Sequence, residues 1–216
     1  MQPFIRLTAI AAPIDEPDVD TDMLIPVQFL RRPLSAGYRN FLFFNQRFNA
    51  DGTPRADFVL NREPYRRARI LVTGANFGCG SAREGAVYAV LDFGIKAIIA
   101  PSFGAFYTSN SYQNGLLPVV LPDTAVRGLR AQMRASPGAE LTIDLPSQTV
   151  IDSAGNEYRF EIERLRKEQL LNGLDDIGFT MRHAAEIAAF EERLAAEMPW
   201  LTGNALQPLV RKLREP

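Results

Sequence analysis

Cysteine, histidine and tryptophan each occur once in this chain of 216 residues. A single thiol, Cys79, permits no internal disulfide and suits a reducing compartment. It is also too little for an iron–sulfur cluster, which usually takes three or four thiolates. With His183 as the lone imidazole, a zinc site of the His/Cys type is excluded within the chain. Long apolar runs are missing too, for none approaches the roughly 20 residues of a membrane helix. The opening "MQPFIRLTAIAAPIDEPD" has one arginine, a broken apolar stretch and early carboxylates, unlike a secretory signal. The chain is therefore expected to be cytoplasmic, with no membrane partner. Nor is there an excess of charge: 24 basic against 25 acidic side chains offer no electrostatic draw for nucleic acid. The basic run "REPYRRAR" (62–69) is short, contains a glutamate and reads as a solvated loop.

What remains is ordinary globular composition, 46% hydrophobic and 23% charged, on a chain long enough to bury a sizeable core. "FIRLTAIAAPI" reads as a strand stopped at Pro13. "DEPDVDTD" puts five carboxylates into eight residues, which is turn chemistry, because Asp side chains bond neighbouring amides. "MLIPVQFL" resumes an apolar segment. The stretch 31–69 has weak periodicity and is expected to be an irregular, mobile loop region. "RILVTG", "IKAIIA" and "LLPVVL" then read as buried strands. Between them lie two helix candidates, "SAREGAVYAVLDFG", stopped by Gly94, and "SFGAFYTSNSYQNG", capped by Ser102 and closed by Asn114-Gly115. "DTAVRGLRAQMRAS" makes a third. This alternation implies a parallel α/β core. "AELTIDL", "QTVID" and "EYRFEI" alternate apolar with polar and suggest a small antiparallel addition. "RLRKEQLLNG" and "TMRHAAEIAAFEERLAAEM" are helical, the latter with Met181, Ala184, Ile187, Ala188, Leu194 and Met198 at helical spacing. One domain is expected over 1–200, with a frayed tail over 201–216.

The most unusual stretch is "NFGCGSAREGAVYAVLDFG" (76–94). On local grammar, Ser81 and Glu84 make an S-x-x-E capping box, each side chain bonding the other's amide. The same residues also suit a ligand. Glycine backbones admit close approach, a helix N-terminus offers unpaired N–H groups and positive potential, and Arg83 adds a fork matched to carboxylate or phosphate. The pattern predicts an anion site centred on the Ser81 hydroxyl, in cationic surroundings that ease its ionisation. It is not a P-loop, a dinucleotide fingerprint or a nucleophile elbow, because the lysine or the glycine spacing is wrong. Cys79, between glycines, reads as a small buried side chain, and His183, near a helix start, as a structural one.

At these residues the chain resembles the small subunit of 3-isopropylmalate dehydratase, a family related to the swivelling fourth domain of aconitase. The matching segments are "DVDTDMLIPVQFL" (18–30), "NFGCGSAREGA" (76–86), "FGIKAIIAPSFGAFYTSNSYQNGLLPVVL" (93–121) and "LLNGLDDIGFT" (170–180), in the family's order and over nearly the whole chain. The resemblance implies a swivelling β/β/α fold with a parallel α/β core, an antiparallel addition and C-terminal helices. It implies a hydro-lyase, active as a heterodimer or heterotetramer with a large subunit. That partner would carry a [4Fe–4S] cluster, and this chain would bind no cofactor or metal itself. The substrate would be a small hydroxy-dicarboxylic acid, dehydrated and rehydrated at the neighbouring carbon. Ser81 matches the family's catalytic base and Arg83 its carboxylate-binding arginine. Backbone N–H groups near Gly80, Ser81 and Ala82 would hold the anion, and Thr21 and Asp22 of the acidic turn would lie near substrate.

Three positions depart from the family pattern. Ala82 replaces a serine, Gly85 a histidine, and Ser35 falls where a substrate-binding arginine is expected, with Arg31, Arg32 and Arg39 as its possible replacements. These departures leave two further readings open: a paralogue acting on another hydroxy-dicarboxylate, or a non-catalytic carboxylate- or phosphate-binding module.

Overall fold

The structure, a computed structural model, describes residues 1–201. The expected tail, apart from Leu201, lies outside them. The described residues fall into two compact units, divided after Asp175.

The first unit is built on a seven-stranded sheet of order β4-β3-β2-β1-β5-β6-β7. Its strands are β1 (Arg6–Pro13), β2 (Ile70–Val72), β3 (Ala97–Ala100), β4 (Leu117–Val120), β5 (Glu140–Asp144), β6 (Thr149–Ile151) and β7 (Glu157–Arg159). β1 to β4 pair in parallel, whereas β1–β5, β5–β6 and β6–β7 are antiparallel. The expected parallel core and antiparallel addition are thus one mixed sheet, joined at β1. Arg6–Ile10 pair with β5, while Ala11–Pro13 pair with β2. Burial changes at the same point. It alternates along the first half and is continuous along the second, as expected for a one-sided antiparallel ladder against a parallel one covered on both faces.

Alternate residues of the parallel strands feed two cores. Ala11, Ile70, Val72 and Ile99 meet Val126, Leu129 and Met133 of helix α5 (Asp123–Ala135). Ala12, Leu71, Ile98 and Ala100 meet Ala86, Val87 and Val90 of α3 (Glu84–Phe93) and Tyr107 of α4 (Ala105–Asn114). Gly94 and Gly115 end α3 and α4 in left-handed conformation, the stops expected for them. The expected Ser102 cap is not formed. α4 starts three residues later, because the Ser102 hydroxyl accepts the Asn76 amide at 2.8 Å and so binds a neighbouring loop.

The stretch 31–69 is irregular, as expected, with four 3₁₀ turns between residues 34 and 67 and the short helix α2 (Phe44–Arg47). α1 (Thr21–Leu24) precedes it. Tyr38, Leu42, Phe43, Leu60, Tyr65 and Ala68 are buried, which anchors the stretch and leaves 31–36 and 49–57 exposed. Arg47 ties the anchors together, donating to the carbonyls of Arg39 (2.8 Å) and Leu42 (3.1 Å) and to Asn61 Oδ1 (3.2 Å). Burial, with the charges of Arg39 and Arg66, pushes its pKa down to about 10, so it remains a cation at neutral pH.

The β6–β7 turn is organised by Asp152, which is buried. Its carboxylate accepts from the amides of Ala154 and Asn156, the Asn156 side chain and the Tyr158 hydroxyl. Burial raises the pKa of the carboxyl, but the bonds from Asn156, Ala154 and Tyr158 outweigh burial and hold it below the usual range. A depressed carboxyl stabilises the fold above its ordinary pKa of about 4, and that contribution fades as pH falls through the lower folded value. Asp152→Ala should therefore cost about 1–3 kcal/mol at pH 7 and progressively less below pH 4, as read from urea denaturation at both pH values.

After α6 (Arg164–Asn172), closed by Gly173, the second unit holds α7 (Asp176–Met181) and α8 (Ala184–Glu197). The expected single last helix is broken at Arg182–His183, where both amides bond carbonyls three residues back. No described helix is long and apolar enough to cross a membrane.

Candidate active site

The glycine-rich loop leaves the C-terminal end of β2, the edge of a parallel sheet at which ligands usually bind. Two segments that leave β1 and β3 flank it. Gly78 N donates to Val19 O at 2.7 Å, and Thr21 N to Cys79 O at 3.0 Å. On the other side Phe77 N donates to Ser102 O (3.1 Å) and Gly104 N to Phe77 O (2.9 Å). Parallel bridges Asp20–Cys79 and Phe77–Phe103 continue the strand order beyond the sheet. Asn76 fastens the loop's near end, its side chain donating to Asp18 Oδ1 at 2.7 Å.

Asn76, Gly78 and Gly80 all have positive φ, so every second residue turns back and the loop stays tight. Gly78 is required twice over. Its φ is +72°, and a Cβ there would sit 2.2 Å from the Tyr107 ring. Tyr107 is buried against Phe77 and forms the floor of the loop.

Ser81 is not a helix cap. α3 begins at Glu84, with Arg83 in the N-cap position and no side-chain capping bond. Glu84 does not reach back either, since Asn114 Nδ2 donates to its carboxylate at 2.8 Å. The expected capping box is therefore absent, and Ser81 lies on the loop, three residues ahead of the helix. Its backbone is nevertheless fixed: the carbonyl accepts Thr21 Oγ1 at 3.1 Å and Arg83 N at 2.8 Å. Among the described residues its hydroxyl has no partner, and the amides of Gly80, Ser81 and Ala82 have none. These three residues are exposed, so the loop offers three consecutive donors and one hydroxyl to solvent.

Arg83 ion-pairs with Asp22, with side chains 21% and 55% exposed respectively, so the guanidinium is oriented but open. Thr21, expected near substrate, is buried, with its hydroxyl engaged by the Ser81 carbonyl. It shapes the loop and is not placed to touch a ligand. Asp20 caps α1 by accepting Met23 N at 2.7 Å. Among the described residues the expected cationic surroundings do not arise, since Asp18, Asp20 and Asp22 lie beside the loop with Arg83.

Arg31 and Arg32 lie on the exposed 31–36 segment, with no hydrogen bond to the glycine loop. Arg39 is less well placed, because its amide donates to Asp92, more than two turns along α3 from Arg83. The Cys79 thiol is partly buried and donates weakly to Asp18 O. Burial, with Asp20 and Asp18, pushes its pKa up, so it is a poor thiolate nucleophile or ligand. His183 is exposed beside Glu186. Among the described residues no cluster of His, Cys, Asp and Glu could hold a metal, and an iron–sulfur cluster does not fit this chain. The anchors Asn76 and Ser102 were not foreseen as site residues. A turn-forming asparagine at position 76, two residues ahead of Gly78, was the sequence signal for the first of them.

Family models match in three segments: the aconitase C-terminal domain over residues 1–124, LeuD_N over 128–163, and the C-terminal domain of the 3-isopropylmalate dehydratase small subunit over 176–204. Curated relatives named 3-isopropylmalate dehydratase small subunit include one from Cereibacter sphaeroides, 45% identical over 93% of this chain and 100% of its own. Another, from Parvibaculum lavamentivorans, is 46% identical with the same coverage. A crystal structure of 3-isopropylmalate dehydratase from Methanocaldococcus jannaschii matches the fold with a TM-score of 0.60 at 22% identity, over 86% of this chain and 99% of that one.

Proposed function

The chain belongs to the family of 3-isopropylmalate dehydratase small subunits, and from that premise we propose that it supplies the base and one carboxylate clamp of a two-subunit hydro-lyase. The substrates would be 2-isopropylmalate and 3-isopropylmalate, interconverted by loss and return of water. The observation that carries this reading is the row of three unpaired amides and one uncommitted hydroxyl beside an oriented guanidinium.

The reaction breaks a C–H bond beside a carboxylate and a C–OH bond on the adjacent carbon. A double bond forms and water is released, then water adds back with the two positions exchanged. Ser81 Oγ would take the proton, and its anchored backbone would hold it at constant distance from a bound acid. Arg83 would grip one carboxylate, kept in orientation by Asp22. The amides of Gly80, Ser81 and Ala82 would face the charge that develops on that carboxylate as the proton leaves. A [4Fe–4S] cluster in a large subunit would supply Lewis acidity towards the departing hydroxyl. A serine hydroxyl is too weak an acid at neutral pH to act unaided, and one arginine among three aspartates does not change that. Its activation belongs to the closed, two-subunit pocket.

Co-expression with a cluster-bearing large subunit and assay on a panel of hydroxy-dicarboxylates tests the reading. Isopropylmalate or a close relative such as a methylated malate should turn over. A complex that forms yet is inert towards the whole panel would remove the enzymatic reading. Anion binding by the isolated chain would then mark a binding module.

A further inference from the structure

Gly85 lies in the first turn of α3 with an ordinary helical φ, so its backbone does not require glycine. Alanine would favour the helix there. What the glycine provides is room. A Cβ at this position would lie 3.3 Å from Leu30 Cδ2, 3.5 Å from Tyr38 Cε1 and 3.8 Å from Ile25 Cδ1. Tyr38 is buried in that space, edge-on to Tyr88 and to Phe41 at centroid distances of 6.1 and 5.7 Å. Its hydroxyl is not idle, for it donates to the Arg32 carbonyl at 2.9 Å.

These contacts link a helix turn to an exposed segment. Gly85 is two residues beyond Arg83, and Leu30 packs on it immediately before Arg31 and Arg32. Neither of these arginines has an ion-pair partner among the described residues. We infer that Tyr38, seated in the space left by Gly85, is a positioning residue that holds the Arg31–Arg32 segment beside the first turn of α3. In that place two guanidiniums without an ion-pair partner among the described residues are carried on the segment that packs, through Leu30 and Tyr38, against the helix turn following Arg83. The class of group they would meet is the second carboxylate of a dicarboxylic acid. This last step rests on the functional reading above, whereas the brace itself does not.

The test uses Tyr38→Phe, which keeps the ring and removes only the bond to Arg32. In the isolated full-length chain, trypsin can cut after Arg31, whereas Arg32 is protected by the following Pro33. Tyr38→Phe should speed the Arg31 cut by about three- to tenfold, the effect of one neutral hydrogen bond, with the thermal midpoint lowered by no more than about 4 °C. In the reconstituted pair, KM for the hydroxy-dicarboxylate should rise by a similar factor while kcat is kept. A purely structural tyrosine would leave that split absent. Gly85→Leu should act in the same direction by displacing the tyrosine and Leu30. An unchanged cutting rate overturns the brace, and faster cutting with an unchanged KM overturns its role at the site. If the wild-type pair is inert on the whole panel, the functional reading fails, and the cutting rate alone decides the brace.

Discussion

Ser81→Ala should lower kcat of the reconstituted enzyme by about 10²- to 10⁴-fold, the range for loss of a positioned base, equal to roughly 3–5 kcal/mol of barrier. KM and the thermal midpoint should both stay near wild type. The structure makes this sharper than the local sequence pattern allows. Had Ser81 capped a helix, its removal would also have cost about 1 kcal/mol of stability. Because α3 starts at Glu84 and the Ser81 hydroxyl bonds nothing among the described residues, no such cost is expected. Steady-state kinetics on the purified complex, with a thermal melt of the small subunit, separates the cases. Turnover within a few-fold of wild type would remove Ser81 as the base. A large midpoint shift would instead show that the hydroxyl holds the loop together.

Arg83→Ala should reduce kcat/KM by about 10²- to 10³-fold, the scale of a lost charge-assisted contact to a carboxylate, with most of the change in KM. Lysine at this position should recover only part of it, because an ammonium cannot make the two parallel bonds of a guanidinium. Stability should barely respond, since the pair with Asp22 is half open to water and such pairs contribute about 0–1 kcal/mol. Asp22→Asn provides the complement. It frees the guanidinium from its ion pair while keeping a hydrogen-bonding partner, and its kinetic effect should be smaller than that of Arg83→Ala. An Arg83→Ala enzyme with normal KM would exclude the clamp.

Much of this molecule is readable from spacing alone. The apolar runs that became β2, β3 and β4 stand out because strands buried on both faces need no alternation. Gly94 and Gly115 mark helix ends because left-handed φ favours glycine. The capping box failed for a physical reason: a serine three residues before a glutamate is a cap only if the backbone between them is helical. Here Gly80 and the anchored Ser81 carbonyl hold that backbone on the loop. Ser102 misled in the same way, its oxygen being engaged across space by the Asn76 amide. Such long-range bonds leave no local signature. Nor does the space beside Gly85, whose occupant lies 47 positions earlier in the chain. The electrostatic expectation also needed correction, because a count of nearby arginines does not say which of them carboxylates already hold.

The strand shared by both halves of the sheet has an evolutionary consequence. Arg6–Ile10 are committed to one ladder and Ala11–Pro13 to another, and a pleated strand reverses its faces with each residue added. Inserting or deleting one residue at the junction of Ile10 and Ala11 could preserve either partner's reading frame but never both. Descendants of this chain should vary freely in length at the hairpin around Gly155, whose added Cβ would meet nothing, and hold the span from Arg6 to Pro13 at an invariant eight residues.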